Sequence, residues 1–148
     1  MLTQAAPGDE AALERLMHAA FAPYVQALGR DSPGPYPWLA DAIAARRVLW
    51  VDGTKGCIVI DRADSQLRIE QIAIDPAEQG QGTGRRAMQA LEALARKIGF
   101  DSIGLITAQP HTRLVAFYSG LGFEVTDIRP VASGKDDMPR IHMTKSLI

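Results

Sequence analysis

The sequence predicts an α+β (α/β) domain in which helices flank a mixed, mostly antiparallel sheet. Three apolar β-type runs, Val48–Val51, Cys57–Ile60 and Leu67–Ile74, follow one another with turn-forming residues between them. This arrangement is typical of an antiparallel meander. An amphipathic stretch over Gly84–Ile98 then precedes a fourth run, Ser102–Thr107. A strand, a helix and a second strand in this order form a right-handed crossover, so the third and fourth runs are expected to be parallel.

The segment before the meander is predicted to contain one short strand and one helix. Leu2–Ala5 is the strand candidate, and Asp9 is a suitable N-cap for the helix that follows. Pro23 interrupts the helical spacing of apolar residues, although Tyr24–Leu28 is expected to add a further turn. The predicted buried face of this helix comprises Leu13, Leu16, Met17, Ala20 and Phe21.

A proline-rich segment separates this helix from the meander. Arg30–Pro37 contains three prolines and a glycine and is not expected to form regular structure. Trp38–Ala45 then predicts a short helix. Two interpretations of the aromatic residues here remain open. They line the mouth of a substrate site, or they form a connector that packs Tyr36 and Trp38 against the sheet.

The third strand of the meander has an irregular apolar pattern. Leu67 and Ile69 lie on one face of a regular strand, whereas Ile72 and Ile74 lie on the other. A β-bulge at Glu70-Gln71 would reconcile the two halves. A strand covered on both faces would explain the pattern equally well.

Three glycines at alternate positions follow this strand and precede the amphipathic helix. Glycine has no Cβ and adopts unusual φ and ψ, so successive backbone N–H groups can turn toward one point. The first helical turn adds unpaired N–H groups and the positive end of the helix dipole. These features predict a phosphate or pyrophosphate site, and Arg85 and Arg86 add two cations. The loop consists of Gln79, Gly80, Gln81, Gly82, Thr83 and Gly84.

The second half of the chain predicts two helices and three strands. The helix over Gly84–Ile98 has a clear apolar stripe, made of Ala87, Met88, Leu91, Leu94, Ala95 and Ile98. A second helix follows Pro110 and ends at Gly122, with its apolar face on Leu114, Val115, Phe117, Tyr118 and Leu121. Glu124–Arg129 and Ile141–Leu147 are the remaining strand candidates, and Val131–Pro139 is a predicted loop.

Length, charge and cysteine content restrict the classes of function. The 148 residues suit one domain, 1–148, and the net charge of −1 gives no indication of a nucleic-acid partner. No segment resembles a signal peptide or a membrane span. The single cysteine, Cys57, lies in an apolar run, which favours a reducing compartment and a cytoplasmic location. No set of His, Cys or carboxylate residues has metal-ligand spacing, so no metal is expected.

Two other phosphate-binding motifs were tested against the glycine loop. No Gly-x-x-x-x-Gly-Lys-[Ser/Thr] is present, which excludes a P-loop. Gly82-x-Gly84-x-x-Ala87 fits a loose dinucleotide fingerprint, but that motif requires an acidic residue about 20 positions on. The next strand ends in Thr107-Ala108-Gln109, without an acid. A NAD(P)-binding oxidoreductase is therefore the less favoured alternative.

The loop also resembles the coenzyme A motif of a known family. Gln79-x-x-Gly82-x-Gly84 is similar to the pyrophosphate-binding motif of the GCN5-related N-acetyltransferase (GNAT) superfamily. Ala116–Phe123, with Tyr118 followed by Gly122-Phe123, resembles a second GNAT motif in the same order along the chain. The resemblance implies the GNAT fold, with a splayed parallel strand pair that admits the acyl-pantetheine arm.

The resemblance also implies site residues. Tyr118 is the candidate general acid for the departing thiolate, although a tyrosine that merely packs is the alternative. Glu70 is the candidate general base, directly or through a water, unless it lies on a solvated strand face. His111 stands near the position where relatives often have a coenzyme-binding asparagine, and it either replaces that donor or is a surface residue. Coenzyme binding is implied for Ile72, Ala73, Ile74, Gln79, Gly80, Gln81, Gly82, Thr83, Gly84, Arg85, His111 and Phe117.

These observations favour an N-acetyltransferase that moves acetyl from acetyl-CoA to a primary amine through a tetrahedral intermediate, without an acyl-enzyme. The acceptor is a small-molecule amine or a peptide N-terminus, and its specificity is expected to lie in Tyr24–Trp38 and Val131–Pro139. No nucleic-acid or membrane partner is expected, and a homodimer is left open. A non-catalytic acyl-CoA-binding or sensing module is the alternative within the same fold.

Overall fold

The structure is a computed structural model that describes residues 1–27, 29, 34–108, 112–129 and 139–148. It contains seven strands: β1 (Leu2–Gln4), β2 (Val48–Val51), β3 (Gly56–Ala63), β4 (Gln66–Ile74), β5 (Ser102–Ala108), β6 (Glu124–Arg129) and β7 (Arg140–Ser146). The α-helices are α1 (Glu10–Ala27), α2 (Leu39–Ala44), α3 (Thr83–Ile98) and α4 (Thr112–Gly120). Short 3-10 turns at Pro7–Asp9 and Pro76–Glu78 precede α1 and α3.

The strands form one mixed sheet in the order β1-β2-β3-β4-β5-β7-β6. The β4–β5 pair is parallel, and every other neighbouring pair is antiparallel. The predicted meander and the parallel crossover through α3 are therefore confirmed. The sheet agrees with the predicted mixed, mostly antiparallel architecture.

Two apolar cores lie on opposite faces of this sheet. One face packs against α3 and α4 and includes Leu67, Ile69, Leu91 and Met143. The other face packs against α1 and α2, with Met17, Leu39 and other side chains buried against β2, β3 and β4. Since the side chains of a strand alternate between faces, the fully buried β2 contributes to both cores.

The start and interior of α1 differ from expectation in two details. The Asp9 carboxylate accepts hydrogen bonds from the Ala6 N–H (2.8 Å) and the Trp50 indole N–H (2.9 Å), and these bonds lower its pKa. Asp9 thus links the turn to β2. The helix also continues through Pro23 as one element, because a proline removes one backbone hydrogen bond without preventing its neighbours from forming theirs.

The predicted stripe of α3 is buried except at Leu94, which is partly buried, and at its last residue. Ile98 is 53% exposed, because the helix ends at Gly99, which has a φ of 106°. The chain turns there, and Phe100 enters the core in its place. Residues 30–33 and 130–138, which include half of the first predicted loop and most of the second, lie outside the described part of the chain.

Candidate active site

The parallel strands β4 and β5 separate after a short paired segment. Their register runs from Gln66 opposite Ser102 to Ile69 opposite Leu105. Beyond these residues β4 pairs only with β3, and β5 pairs only with β7. A gap therefore opens between two neighbouring strands in the middle of the sheet.

A bulge in β4 coincides with the start of this gap. Ile60 of β3 pairs with Ile69, whereas Val59 pairs with Gln71, so Glu70 is the extra residue. The bulge returns Ile72 to the core that already contains Leu67 and Ile69 and directs Ala73 to the opposite core. The irregular apolar pattern of β4 thus has both causes that the sequence left open. The strand contains a bulge, and side chains of its second half are buried on both faces of the sheet.

The bulge also leaves backbone donors facing the gap. The Asp75 N–H bonds to the Lys55 carbonyl on the β3 side, at 2.8 Å. Because backbone groups alternate in direction along a strand, the N–H groups of Ile74 and Ile72 point away from β3 and into the gap. The Ile74 carbonyl accepts a hydrogen bond from the Gln79 side chain, at 3.3 Å, which agrees with this direction.

A cleft of about 900 Å³ passes through the gap and connects the two faces of the sheet. It brings together most of the residues predicted from the sequence, from the glycine loop to the tyrosine of α4. The predicted residues that line it are Glu70, Ile72, Ala73, Ile74, Gln79, Gly80, Gly82, Thr83, Gly84, Arg85, Phe117 and Tyr118. His111 lies outside the described residues, and the Gln81 side chain turns back to the Ala77 carbonyl, at 3.2 Å.

The glycine loop has the backbone that an anion site requires. Gly80 and Gly82 both have a φ of 79°, a conformation that glycine adopts without strain. Gly82 stands at the N-cap of α3, and the Arg86 N–H is the first to bond back to its carbonyl, at 3.0 Å. The N–H groups of Thr83, Gly84 and Arg85 precede that first helical bond, at the positive end of the helix dipole.

Gly84 also sets the distance between α3 and α4. A Cβ at this position would lie 3.4 Å from Cζ of Phe117 and 3.9 Å from Cγ1 of Ile74. The absence of a side chain thus lets the first turn of α3 approach Phe117 on the cleft wall.

The two arginines of this turn have different surroundings. Arg86 donates to the Gln81 carbonyl (3.0 Å) and the Thr83 hydroxyl (3.2 Å), and its Nε lies 3.5 Å from Oδ2 of Asp52. It therefore stabilises the loop. Arg85 is exposed at the cleft and has no hydrogen-bond or ion-pair partner among the described residues. Arg85 is thus available to an anion.

Tyr118 both packs in the core and reaches the cleft. Its ring contacts Phe117 and Phe123 edge-to-face, with centroids 5.2 and 5.7 Å away. Burial raises the pKa of its phenol above the ordinary value, and the neighbouring Tyr24 raises it further. The phenol is therefore protonated at neutral pH and can serve as a proton donor. Glu70, in contrast, is exposed at the bulge and has no partner in the described part of the chain.

The structure adds residues that sequence reasoning missed. The missed residues Thr107, Arg113 and Arg140 line the cleft. Arg86, which the sequence suggested as a second cation of the site, instead stabilises the loop and does not line the cleft. Thr107 is a buried polar residue in a mostly apolar strand. A polar residue in an apolar run could have indicated a functional position from the sequence. Tyr36 and Trp38 pack against the α1 core, as the connector interpretation expects, and they also line the cleft. That they line the mouth of a substrate site stays a prediction.

Neither a metal site nor a membrane span is found in the part of the chain that the structure describes. Within those residues, no group of three or more His, Cys, Asp or Glu side chains could hold a metal ion. Among the described helices, none has the length and apolar character needed to cross a membrane.

Comparison with known proteins identifies the family. The model of the acetyltransferase (GNAT) family matches residues 11–123, which is more than half of the chain. The chain belongs to the GNAT acetyltransferase family. The resemblance inferred from the glycine loop and the Tyr118 motif is therefore confirmed.

Solved GNAT structures share the fold over nearly the whole chain. Ard1 from Thermoplasma volcanium has a TM-score of 0.77 at 18% identity, covering 100% of this chain and 97% of its own. The ribosomal-protein-S18-alanine N-acetyltransferase of Escherichia coli has a TM-score of 0.73 at 21% identity, with 99% and 93% covered. PaiA N-acetyltransferase of Thermoplasma acidophilum, solved with coenzyme A, has a TM-score of 0.75 at 14% identity, with 99% and 98% covered. The sheet with its parallel β4–β5 pair is thus the GNAT fold.

Proposed function

We propose that this protein transfers the acetyl group of acetyl-CoA directly to a primary amine. The observation that supports the proposal most strongly is the cleft through the sheet. It runs from the glycine loop, past the edge of β4 that pairs with no strand beyond Ile69, to Glu70 and Tyr118. The complex of the PaiA N-acetyltransferase with coenzyme A supports the choice of coenzyme.

The glycine loop and the gap would hold the coenzyme. The N–H groups at the start of α3, together with Arg85, would bind its pyrophosphate. The pantetheine arm would lie in the gap between β4 and β5, where the Ile72 and Ile74 N–H groups are free to hydrogen-bond its carbonyl groups. One of these donors would also stabilise the oxyanion that develops on the acetyl carbonyl.

The reaction needs one proton acceptor and one proton donor. The amine nitrogen forms a C–N bond with the acetyl carbonyl carbon, and the resulting tetrahedral intermediate then breaks its C–S bond. Glu70, directly or through a water, would take the proton that the amine loses. Tyr118 would give a proton to the departing thiolate. Both groups face the same cleft, which is the arrangement that direct transfer requires.

A covalent acyl-enzyme on cysteine is not part of this proposal. Cys57 is the single cysteine of the chain, and it is buried in the α1 core, outside the cleft lining. Burial raises the pKa of its thiol to about 12. Its thiolate is therefore scarce at neutral pH, and the thiolate is the nucleophilic form.

Ligand stabilisation followed by catalysis tests the proposed function. At 100 times its Kd, a ligand stabilises the folded state by about 2.7 kcal/mol, so acetyl-CoA should raise the melting temperature by several degrees. NADH at the same concentration should not. Release of the coenzyme thiol upon addition of primary amines should follow. Stabilisation without turnover on any amine would favour a non-catalytic acyl-CoA-binding module, and a response to NADH alone would contradict the proposal.

We also propose that the protein forms a homodimer through β6. Every residue of this edge strand is exposed, including Val125 (47%) and Ile128 (55%). Val125 pairs with Met143 of β7, and Ile128 pairs with Ile141. Since Met143 and Ile141 are two residues apart, the side chains of Val125 and Ile128 lie on the same face of the sheet. Two antiparallel copies of β6 would place Val125 opposite Ile128, and Glu124 opposite Arg129, of the second copy. The strand is thus complementary to itself in apolar character.

A further inference from the structure

The two sides of the cleft differ in their chemistry. The side next to α3 and α4 contains the glycine loop and Arg85. The side next to α1 and α2 is a wall of aromatic rings from two separate segments, and its members are Phe21, Tyr24, Tyr36 and Trp38. Val25 and Pro35 extend this wall. The coenzyme site and the aromatic wall therefore lie on opposite sides of the gap.

The rings of this aromatic wall support one another. The Phe21 and Tyr36 rings meet edge-to-face at 6.5 Å, and the Tyr36 and Trp38 rings do so at 6.0 Å. All three residues are partly buried against the α1 core. Such pairs keep the rings in fixed orientations, so the aromatic wall is a preformed apolar surface.

The Tyr36 hydroxyl does not add polarity to this surface. It is buried and has no hydrogen-bond partner in the described part of the protein. Burial raises the pKa of this phenol, and the nearby Glu14 and Cys57 raise it further. Because the hydroxyl oxygen itself is inaccessible, the surface that Tyr36 contributes to the cleft lining is its ring.

Negative charge on the cleft lining is scarce at the gap. Among the described lining residues, only Glu70 and Glu78 are acidic. Glu78 belongs to the turn that precedes the glycine loop, and its carboxylate lies 4.0 Å from Nζ of Lys55. Glu70 is therefore the single carboxylate at the gap within the described lining, to which Arg85 and Arg113 contribute positive charge. One carboxylate matches one ammonium group, whereas a polycation would meet these arginines.

We propose that the acceptor is a primary monoamine attached to an aryl or branched alkyl group. This inference rests on the proposed function. The ammonium approaches Glu70, which accepts the proton that the amine must lose before it attacks the acetyl carbon. The aryl or alkyl group packs on the aromatic wall, where its burial provides the binding energy. Polyamines are discriminated against, because their further charges find no second carboxylate at the gap among the described lining residues and lie near arginines.

A comparison of three amines tests the acceptor class. The probes are 2-phenylethylamine, ethylamine and spermidine, each assayed with acetyl-CoA by release of the coenzyme thiol. We expect kcat/KM for 2-phenylethylamine to exceed that for ethylamine by at least about tenfold, which is the scale on which apolar pockets discriminate. Spermidine should be no better than ethylamine. Equal rates with 2-phenylethylamine and ethylamine, or a preference for spermidine, would overturn the inference.

A pair of variants tests the role of the ring. Tyr36→Leu removes it and should bring the kcat/KM ratio of 2-phenylethylamine to ethylamine close to one, chiefly through the KM of the aryl substrate. Tyr36→Phe keeps the ring and should keep the ratio. If Tyr36→Leu does not fold, Phe21→Leu removes the neighbouring ring and should also lower the ratio. An unchanged ratio in a folded ring-deletion variant would contradict the role of the aromatic wall.

The failure of this inference is distinguishable from failure of the proposed function. The melting temperature with and without acetyl-CoA reports on the coenzyme site alone, for the natural protein and for each variant. If acetyl-CoA gives no stabilisation, the proposed function fails. If acetyl-CoA stabilises the protein and amines are acetylated without an aryl or alkyl preference, only the acceptor class is wrong.

Discussion

At the scale of the residue, neighbouring side chains of similar type have different roles. Arg85 and Arg86 are adjacent in sequence, yet Arg86 bonds to the loop and to Asp52, whereas Arg85 is exposed at the cleft. The sequence alone predicts an anion site here but not which cation faces it. That difference depends on the turn between β2 and β3, which brings Asp52 to the loop from about 30 residues away in sequence.

The two arginines should therefore respond differently to substitution. Arg85→Ala should weaken acetyl-CoA binding by about 10- to 100-fold, since a charge-assisted contact to phosphate contributes roughly 1.5–3 kcal/mol. Its melting temperature without ligand should be unchanged. Arg86→Ala should lower that melting temperature, because it removes hydrogen bonds within the loop. Calorimetric titration and thermal unfolding of both variants check this, and equal behaviour of the two would contradict the assignment.

Tyr118 should matter most at neutral pH. Tyr118→Phe keeps the packing against Phe117 and Phe123 and removes only the hydroxyl, so kcat should fall by about 10². The deficit should shrink above about pH 8.5, where a thiol is ionised and departs without a proton. A pH profile of kcat for both proteins, with the acetyl-CoA affinity measured in parallel, provides the check. An unchanged kcat in Tyr118→Phe would indicate a packing role, and a deficit that is independent of pH would contradict proton donation to the thiolate.

At the scale of the element, the bulge in β4 connects the fold to the site. The pattern of Leu67, Ile69, Ile72 and Ile74 predicted an irregularity at this point, because a regular strand would divide these residues between two faces. The pattern alone could not distinguish a bulge from a strand that is buried on both faces, and the structure contains both features. Nor could it give the length of the β4–β5 pairing, which ends at Ile69 and Leu105 and depends on contacts between distant strands.

Helix α3 is tied to the sheet at a point remote from the cleft. Glu92 accepts a hydrogen bond from Nζ of Lys145 on β7, at 2.7 Å, and also pairs with Arg96, at 3.0 Å. The bond from Lys145 is the main cause of a lowered Glu92 pKa. A lowered folded-state pKa stabilises the protein above the ordinary carboxyl value, and this stability is lost as pH falls through the folded value.

Glu92→Gln should therefore destabilise the protein at neutral pH. Because the side chains are partly exposed, the loss should be small, about 1 kcal/mol. The difference from the natural protein should shrink as the pH falls through the lowered folded-state pKa of Glu92, and it should vanish once the carboxylate is protonated in both states. Denaturant unfolding of both proteins at a series of pH values from 7 down to about 2 measures it. A difference that persists at the lowest pH would assign the effect to packing instead of charge.

At the scale of the whole molecule, the order and type of most elements could be predicted from the sequence. The meander, the crossover and the two motif-bearing helices could be predicted, because the apolar periodicity and the glycines that indicate them lie within the elements themselves. The positions of Arg113 and Arg140 were not, since they reach the cleft only when β5, α4 and β7 assemble. The sequence also suggested an interruption at Pro23, whereas α1 is continuous there. The packing of α1 on the sheet, which depends on distant residues, outweighs the free-energy cost of a proline inside the helix.

The open edge of the sheet gives a prediction for the assembly. If β6 pairs with a second copy, Ile128→Lys would put a charge opposite Val125 and weaken the dimer. A strand pair buries little area, so the natural protein should dissociate at low concentration. Sedimentation velocity across a hundredfold concentration range should show this change, and the variant should remain monomeric. A natural protein that stays monomeric throughout would contradict the β6 dimer.

The passage of the cleft from one face of the sheet to the other has a kinetic consequence. If the coenzyme enters beside α3 and the amine enters beside α1, neither substrate blocks the entrance of the other. We expect intersecting initial-rate plots, as for a ternary complex, and not the parallel lines of a ping-pong enzyme. A dead-end analogue of either substrate should compete with its own counterpart and be noncompetitive toward the other. Each product would then leave by the entrance that its parent used.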